Sequence, residues 1–375
     1  MQTNNKLSNR LVSLDVFRGL TIAGMILVNN PGTWNAIYPA LKHAEWHGWT
    51  PTDFIFPFFL FIVGVSMTFS FKRRLEKGHD KNKLFFHVIK RSLILFALGM
   101  FLHLFPYFNF STVRIPGVLQ RIAVVYLFAS VIYLYLNKRW QIIISLLFLF
   151  GYWAVMALVP VPGYGANNLT PNGNLAAYID NLLLKGHLWA QSKTWDPEGI
   201  LSTFPAVVTA MIGVFSGLWL QSEKGSYEKV TGMFVVGNLM VVIGVIWNMW
   251  FPINKYIWTS SYVIFMGGMA LNFLAFCYYV IEIKNIRWWT KPFMVFGTNA
   301  IASFFLSSLF SKILTLIKAT DFDGKDIALK SYIFNHFFAP YFSLINASLV
   351  FALVYVLFWY IIMSILYKKS IFIKV

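Results

Sequence analysis

Apolar stretches of about 20 residues, long enough to cross a bilayer as a helix, recur along the whole chain. Ten are expected to be spanning helices, at roughly 12–29, 52–71, 86–105, 118–136, 140–159, 200–220, 231–251, 257–281, 293–317 and 343–367. Polar residues fall between them in short runs, and the longest interruptions on one side are 30–51, 160–199 and 318–342. The pattern predicts an all-α fold, a polytopic integral membrane helical bundle of about ten transmembrane helices, with 1–375 forming a single transmembrane domain. The first stretch reads as a span and not as a cleaved signal, because it carries Asp15 and Arg18 at its start and is followed by no small-x-small cleavage site. No repeat of 20–50 residues and no inverted repeat of the transporter kind is visible.

Composition narrows the class. Of 375 residues, 58% are hydrophobic, 19% aromatic and only 12% charged, where a soluble domain carries about 25% charged residues. That excludes a soluble enzyme, a disordered chain and a secreted disulfide scaffold. The single cysteine, Cys277, lies in an apolar run and leaves no intrachain disulfide.

The formal charge of +17 would suit a nucleic-acid partner, but its placement argues for topology. With the N-terminus in the cytoplasm, twenty Lys and Arg residues, Lys6, Arg10 and Lys374 among them, fall on the cytoplasmic side and eight on the other. This is the positive-inside bias, and it places both termini in the cytoplasm. No soluble element is long enough to carry a nucleic-acid site. The lipid bilayer is the expected partner of the apolar faces.

Ionisable groups at membrane depth are costly and therefore informative. Asp15 and Arg18, three apart, share a helical face and can pair; the functional alternative is a wall of a phosphate-bearing ligand site. The loop after the first span is richer, with Asn29-Asn-Pro-Gly32 followed by His43-Ala-Glu-Trp-His-Gly-Trp-Thr-Pro-Thr-Asp53. His43 can act as a base near neutral pH, and a carboxylate on its other ring nitrogen, from Glu45 or Asp53, would fix the tautomer. Trp46 and Trp49 offer faces for a sugar ring or belong to an interfacial aromatic belt. His43, Glu45 and His47 resemble a metal cluster, but no third ligand stands at a supporting spacing, so no metal is expected.

Further polar groups stand at Arg114-Ile-Pro-Gly-Val-Leu-Gln-Arg121, where Gln120 and Arg121 lie just inside a span and Arg121 needs a partner such as Asp53, Asp196, Glu198 or a ligand. Trp195-Asp-Pro-Glu-Gly199 enters the sixth span, with Asp196 and Glu198 open to a capping reading. Asn254, Lys255 and Ser261 enter the eighth span, and Asn299 and Lys312 lie inside the ninth. Polar sequence therefore converges on the outer ends of spans 1, 2, 4, 6 and 8.

These residues carry a resemblance. Ser13-Leu-Asp-Val-Phe-Arg-Gly19, Asn29, His43-Ala-Glu-Trp with Gly48, and Thr52-Asp-Phe-Ile-Phe-Pro-Phe58 resemble the transmembrane heparan-alpha-glucosaminide N-acetyltransferase family. So do Arg114-Ile-Pro-Gly-Val-Leu-Gln-Arg121, Asp196-Pro-Glu-Gly199 and Asn254-Lys255 with Trp258 and Ser261-Tyr262, in matching order from residue 11 to about 310. Bacterial NagX-like proteins belong to that family and the short form resembles a bacterial inner-membrane protein; the chain departs from the animal pattern at His47, where an Asn commonly stands.

The resemblance implies a single transmembrane acyltransferase domain in a bacterial inner membrane. Acetyl would pass from cytosolic acetyl-CoA to the amine of a terminal glucosamine-type sugar on a glycan at the periplasmic face. It implies His43 as general base or transient acetyl carrier and Asn29 as the group that positions the carbonyl oxygen. Glu45, Asp53, Arg121, Asp196, Glu198, Asn254, Lys255 and Asn299 become supporting or acceptor-binding residues. Asp15, Arg18, Gln120 and Ser261 become donor-binding residues. A homodimer is admitted as the assembly. An amino-sugar permease, or O-acetyl transfer onto an envelope glycan, are the rival readings.

Overall fold

A computed structural model describes residues 11–321 and 323–373. Lys6, Arg10 and Lys374 of the topology count lie outside the described residues. Thirteen α-helices are present among the described residues: α1 Val12–Asn29, α2 Ile55–Glu76, α3 Lys81–Leu104, α4 Val118–Tyr135, α5 Lys138–Leu158, α6 Leu175–Leu184, α7 Thr203–Leu220, α8 Ser226–Trp247, α9 Ser260–Tyr278, α10 Thr290–Thr298, α11 Ala300–Leu316, α12 Leu329–Phe337 and α13 Leu344–Lys368. The antiparallel strands β1 (Lys318–Thr320) and β2 (Asp326–Ala328) form a short hairpin. Among the described residues nine helical segments are long and apolar enough to cross a membrane, and ten if α10 and α11 count as one bent span.

Local sequence explains three helix starts. Asp80, Asn137 and Asn174 accept hydrogen bonds from the backbone N–H of Lys83, Trp140 and Ala177, satisfying donors that the first turns of α3, α5 and α6 leave open. α8 ends at Trp247, short of the expected 251. Pro252 disfavours helical backbone just before it, and the Asn248 side chain accepts from Ile253 N–H at 2.8 Å to close a turn instead. The stretch 293–317 is bent by 82° where α10 meets α11. Asn299 at the bend is buried; its amide donates to Ile371 C=O at 3.1 Å and accepts from Ile373 N–H at 2.8 Å. The interruption 160–199 contains α6, and 318–342 contains the hairpin and α12.

The described chain divides into two compact units. The first comprises 11–42, 224–234 and 272–373. In it α1 packs on α10, α11 and α13. A Cβ built on Gly19 would fall 1.7 Å from the Phe293 carbonyl oxygen, and one on Gly297 would fall 2.1 Å from that of Asp15. Backbone contact through small residues is how membrane helices associate when lipid offers no hydrophobic drive. The expected Asp15–Arg18 pair forms at 3.0 Å, and Arg18 also donates to the Gly297 carbonyl at 3.2 Å.

The second unit comprises 43–223 and 235–271. Its centre is α2 against α7, where a Cβ on Gly64 would meet the Ala210 carbonyl oxygen at 1.9 Å and one on Gly213 would meet that of Phe61 at 2.0 Å. α4 packs on α3 and α7, and α5 on α7. The outward faces of α3, α5 and α8 are apolar and exposed at Leu93, Leu147 and Val242, as a lipid-facing surface requires.

Candidate functional site

The candidate site lies in the second unit, where the segments leading into α2, α4, α7 and α9 meet. Asp53 organises it. Thr50 and Asp53 form a capping box over the short turn Pro51–Phe54, with Asp53 Oδ2 accepting from Thr50 N–H at 2.9 Å, from Thr50 Oγ1 at 3.1 Å and from Ala44 N–H at 3.1 Å. This leaves Oδ1 facing His43, whose Nδ1 is 2.6 Å away. A carboxylate only accepts, so Nδ1 carries the proton and the lone pair is on Nε2. Asp53 is 1% exposed and His43 38% exposed, so a buried anion stands behind a ring that solvent reaches. Glu45, the nearer acidic residue in sequence, is exposed and takes no part in this bond.

A second segment fixes the other side. Gly48 N–H donates to Ile253 C=O at 2.8 Å, and the Tyr262 hydroxyl donates to Asp53 C=O at 2.7 Å, joining the 43–54 loop to the turn 248–259. That turn brings Lys255, 212 residues away in sequence, onto His43. Its Nζ lies 2.9 Å from Nδ1, 3.1 Å from Nε2 and 3.6 Å from Asp53 Oδ1. Near-equal distances to both ring nitrogens put the amine over the imidazole face. Asn254, beside it, is buried, accepts from Ile257 N–H at 3.1 Å and lies 3.3 Å from His47 Nδ1. Ser261, in the first turn of α9, is buried and donates to Phe251 C=O in the 248–259 turn at 2.5 Å.

Burial disfavours the charged imidazole and lowers the pKa of His43; the Asp53 hydrogen bond opposes this, and the Lys255 charge adds to the lowering. Burial also lowers the pKa of Lys255, against the attraction of Asp53 and Glu198.

The guanidinium that takes the acidic pair is Arg114. Its Nε donates to Asp196 Oδ2 at 2.8 Å and its Nη2 to Asp196 Oδ1 at 2.6 Å and Glu198 Oε2 at 2.5 Å. Burial works against the charged guanidinium, but its bonds to Asp196 and the charge of Glu198 outweigh this and hold its pKa above the usual value. Arg121, expected to pair with Asp53, Asp196, Glu198 or a ligand, hydrogen-bonds to no carboxylate among the described residues. Its Nη2 donates to Gly199 C=O at 2.8 Å and Ser202 Oγ at 2.5 Å, and the guanidinium lies 5.3 Å from the Trp258 ring centroid. The capping reading of Asp196 and Glu198 also gives way, since α7 starts only at Thr203 and Asp196 Oδ1 accepts from Glu198 N–H at 3.0 Å. Asp180, which no motif marked, is 1% exposed and accepts from Ile200 N–H at 2.9 Å and Asp196 N–H at 3.2 Å. Burial pushes its carboxyl up to about 6.

Replacing Arg114 by Ala leaves Asp196, 0% exposed, and Glu198, 8% exposed, without their cation. Breaking a buried ion pair from one side costs several kcal/mol. With Arg114 21% exposed, a loss of about 3 kcal/mol is expected, seen as an earlier melt of the detergent-solubilised chain. Arg114→Lys, which keeps the charge but not the bidentate fork, should fall between.

Aromatic rings flank the site. Trp46 stacks on Tyr256 with centroids 5.5 Å apart at 10°, and Trp195 meets both edge-on at 5.2 and 5.4 Å. Trp46 Nε1 donates to Leu169 C=O at 2.8 Å. Trp49 stacks instead on Phe54, centroids 5.0 Å apart.

Gln120 is buried at the α3–α4 contact, 3.7 Å from Met100 Sδ and 3.3 Å from His103 Nδ1. Asp15, Arg18, Asn29 and Asn299 belong to the first unit; Asn29 is exposed at the C-terminal end of α1, while the neighbouring Asn30 is buried and donates to Ile26 C=O at 2.8 Å. Lys255 on His43 and Arg114 on Asp196 join positions 212 and 82 residues apart, and no local spacing signals either. Among the described residues no three His, Cys, Asp or Glu side chains are grouped to hold a metal.

Fold and site define a polytopic membrane protein with a histidine–carboxylate pair on an extramembrane loop. The family profile "Heparan-alpha-glucosaminide N-acetyltransferase, catalytic" matches residues 10–247, and the chain belongs to this family. It is 30% identical over 354 residues to heparan-alpha-glucosaminide N-acetyltransferase of Mus musculus, covering 80% of this chain and 53% of the mouse protein. To that of Homo sapiens it is 31% identical over 346 residues, covering 78% and 52%. The chain thus spans about half the length of the curated relatives it matches.

Proposed function

We propose that the chain is an acetyl-CoA-dependent transmembrane N-acetyltransferase acting on the amine of a terminal glucosamine-type sugar. The observation that carries this reading is the His43–Asp53 pair at 2.6 Å, with Nε2 free of a carboxylate partner. Nε2 takes a proton from the acceptor amine, and the nitrogen lone pair attacks the thioester carbon of the donor. Asp53 holds the tautomer and stabilises the imidazolium that forms. The proton returns to the leaving thiolate as the tetrahedral intermediate collapses. Transient acetylation of His43 is a variant of the same chemistry.

Lys255, Asn254 and Glu198 frame the amine end of the acceptor, and the Trp46–Tyr256–Trp195 cluster offers apolar ring surface to the sugar. Arg114 holds Asp196 and Glu198 in place. Gln120, Ser261 and Arg121 support the second unit from within. The exposed Lys72 and Arg73 at the end of α2 are the proposed contacts for the donor phosphates, which favour basic residues. Both units serve one acyltransferase domain in this reading. The excess of basic residues on one side orients both termini to the cytoplasm and the His43 loop to the opposite face, which is the periplasm in the bacterial form that the resemblance implies.

Proteoliposomes with labelled acetyl-CoA supplied on the side of the 77–80 loop, and amino sugars on the other, test this. Label is expected as an alkali-stable amide on the sugar amine. Alkali-labile label would mean O-acetyl transfer, and sugar crossing unaltered without label would mean a permease.

A further inference from the structure

A general base must stand within about 2.6–3.2 Å of the nitrogen whose proton it removes. The acceptor amine therefore has to enter the shell around His43 Nε2. Lys255 Nζ already occupies that shell, 3.1 Å from Nε2. It is held there by the 248–259 turn, through Asn254, which accepts from Ile257 N–H at 3.1 Å, and through Thr259, whose backbone N–H donates to Asn254 C=O at 3.1 Å. The Lys255 side chain is 13% exposed, so it is recessed beside the base and not a free surface lysine. Chemically it is a primary amine, the same group that the proposed acceptor presents.

We infer that Lys255 is an internal competing acceptor, a self-acetylation site whose modification closes the active site to the sugar amine. The inference rests on the acetyltransferase reading above. In the step, the Lys255 side chain turns from over the ring face into the ring plane, where the Nε2 lone pair points; His43 Nε2 takes a proton from the uncharged ε-amine and Nζ attacks the carbonyl carbon of the acetyl thioester. The C–S bond breaks as the N–C bond forms, and the thiolate leaves with the proton from His43. The products are Nε-acetyl-lysine at 255 and free thiol. An ammonium group first gives one proton to solvent, which its lowered pKa makes easier.

Acetylation removes the positive charge 3.6 Å from Asp53 Oδ1 and leaves an amide where the acceptor amine must stand. An acceptor that fills the site displaces the lysine and protects it. The modification therefore accumulates when acetyl donor is abundant and acceptor scarce.

The test uses the full-length wild-type protein in detergent, incubated with acetyl-CoA and without sugar, with acetyl occupancy read by peptide mass spectrometry. Exposed Lys185 reports uncatalysed acetylation. Lys255 is expected to gain acetyl well ahead of Lys185. Saturating amino sugar should suppress this at Lys255 alone, and turnover should fall in proportion to occupancy. His43→Ala should slow Lys255 acetylation by roughly 10²–10⁴, the contribution of a general base, with Lys185 unchanged. Wild-type protein that acetylates the sugar while Lys255 gains no more than Lys185 would overturn the inference and leave the acetyltransferase reading standing. If neither sugar nor Lys255 gains acetyl, both fall.

Discussion

His43→Ala is expected to lower acetyl transfer by roughly 10²–10⁴-fold, the range that a positioned general base supplies, while fold and donor binding persist. The fold should survive because the ring is 38% exposed and its single tie to the loop is the bond to Asp53, which keeps its bonds to Thr50 and Ala44. The pH profile gives a second readout. The base works as neutral imidazole, so activity falls as pH drops through the folded-state pKa of His43. Burial, with the Lys255 charge, lowers that value, and the acid limb should lie below the ordinary histidine value of about 6.5. An acid limb above that value, or near wild-type turnover in His43→Ala, would move the base elsewhere. His47→Asn should be mild by comparison, since His47 is 3.3 Å from Asn254 and, among the described residues, hydrogen-bonds to no carboxylate.

Asp53→Asn is expected to cost about 10⁴ in turnover, the size seen when the carboxylate behind a catalytic histidine becomes an amide. In the wild type Oδ2 receives three donors from Ala44 and Thr50, and Oδ1 receives His43 Nδ1. An Asn has one acceptor oxygen, which the three loop donors claim. Its NH₂ then faces Nδ1 and drives the proton to Nε2, where the base should be. Loop geometry is retained, so thermal stability should change far less than turnover. Asp53→Ala removes the loop acceptor as well and should lose both. Turnover of Asp53→Asn within tenfold of wild type would mean that the carboxylate serves only the loop.

Part of this was legible before any coordinates. The spans could be read because hydropathy is a sum over about 20 adjacent residues and does not depend on what the helix packs against. The starts of α3, α5 and α6 were not read in this way: hydropathy put the first two near 86 and 140 and passed over α6, although an Asp or Asn that caps each stands just before it. His43 and Asp53 stood out because they are ten residues apart in a polar loop between apolar runs. The sequence could not choose Asp53 over Glu45, since the choice is made by the capping box that turns Asp53 inward.

What the tertiary structure alone decided is who meets whom across long separations. Arg121 looked in need of a carboxylate because it lies in a span, yet the segment before α7 offers it a carbonyl and a hydroxyl. Arg114, seven residues earlier and outside the helix, takes Asp196 and Glu198. The break at Asn299 depends on two backbone groups of the C-terminal segment, 72 and 74 residues on, and Lys255 reaches His43 only because two loops are pinned by Gly48 and Tyr262. Hydropathy and capping are properties of neighbours along the chain, whereas a salt bridge or a base's companion depends on helix packing. That packing is set here by glycines whose missing Cβ atoms let α2 and α7 touch.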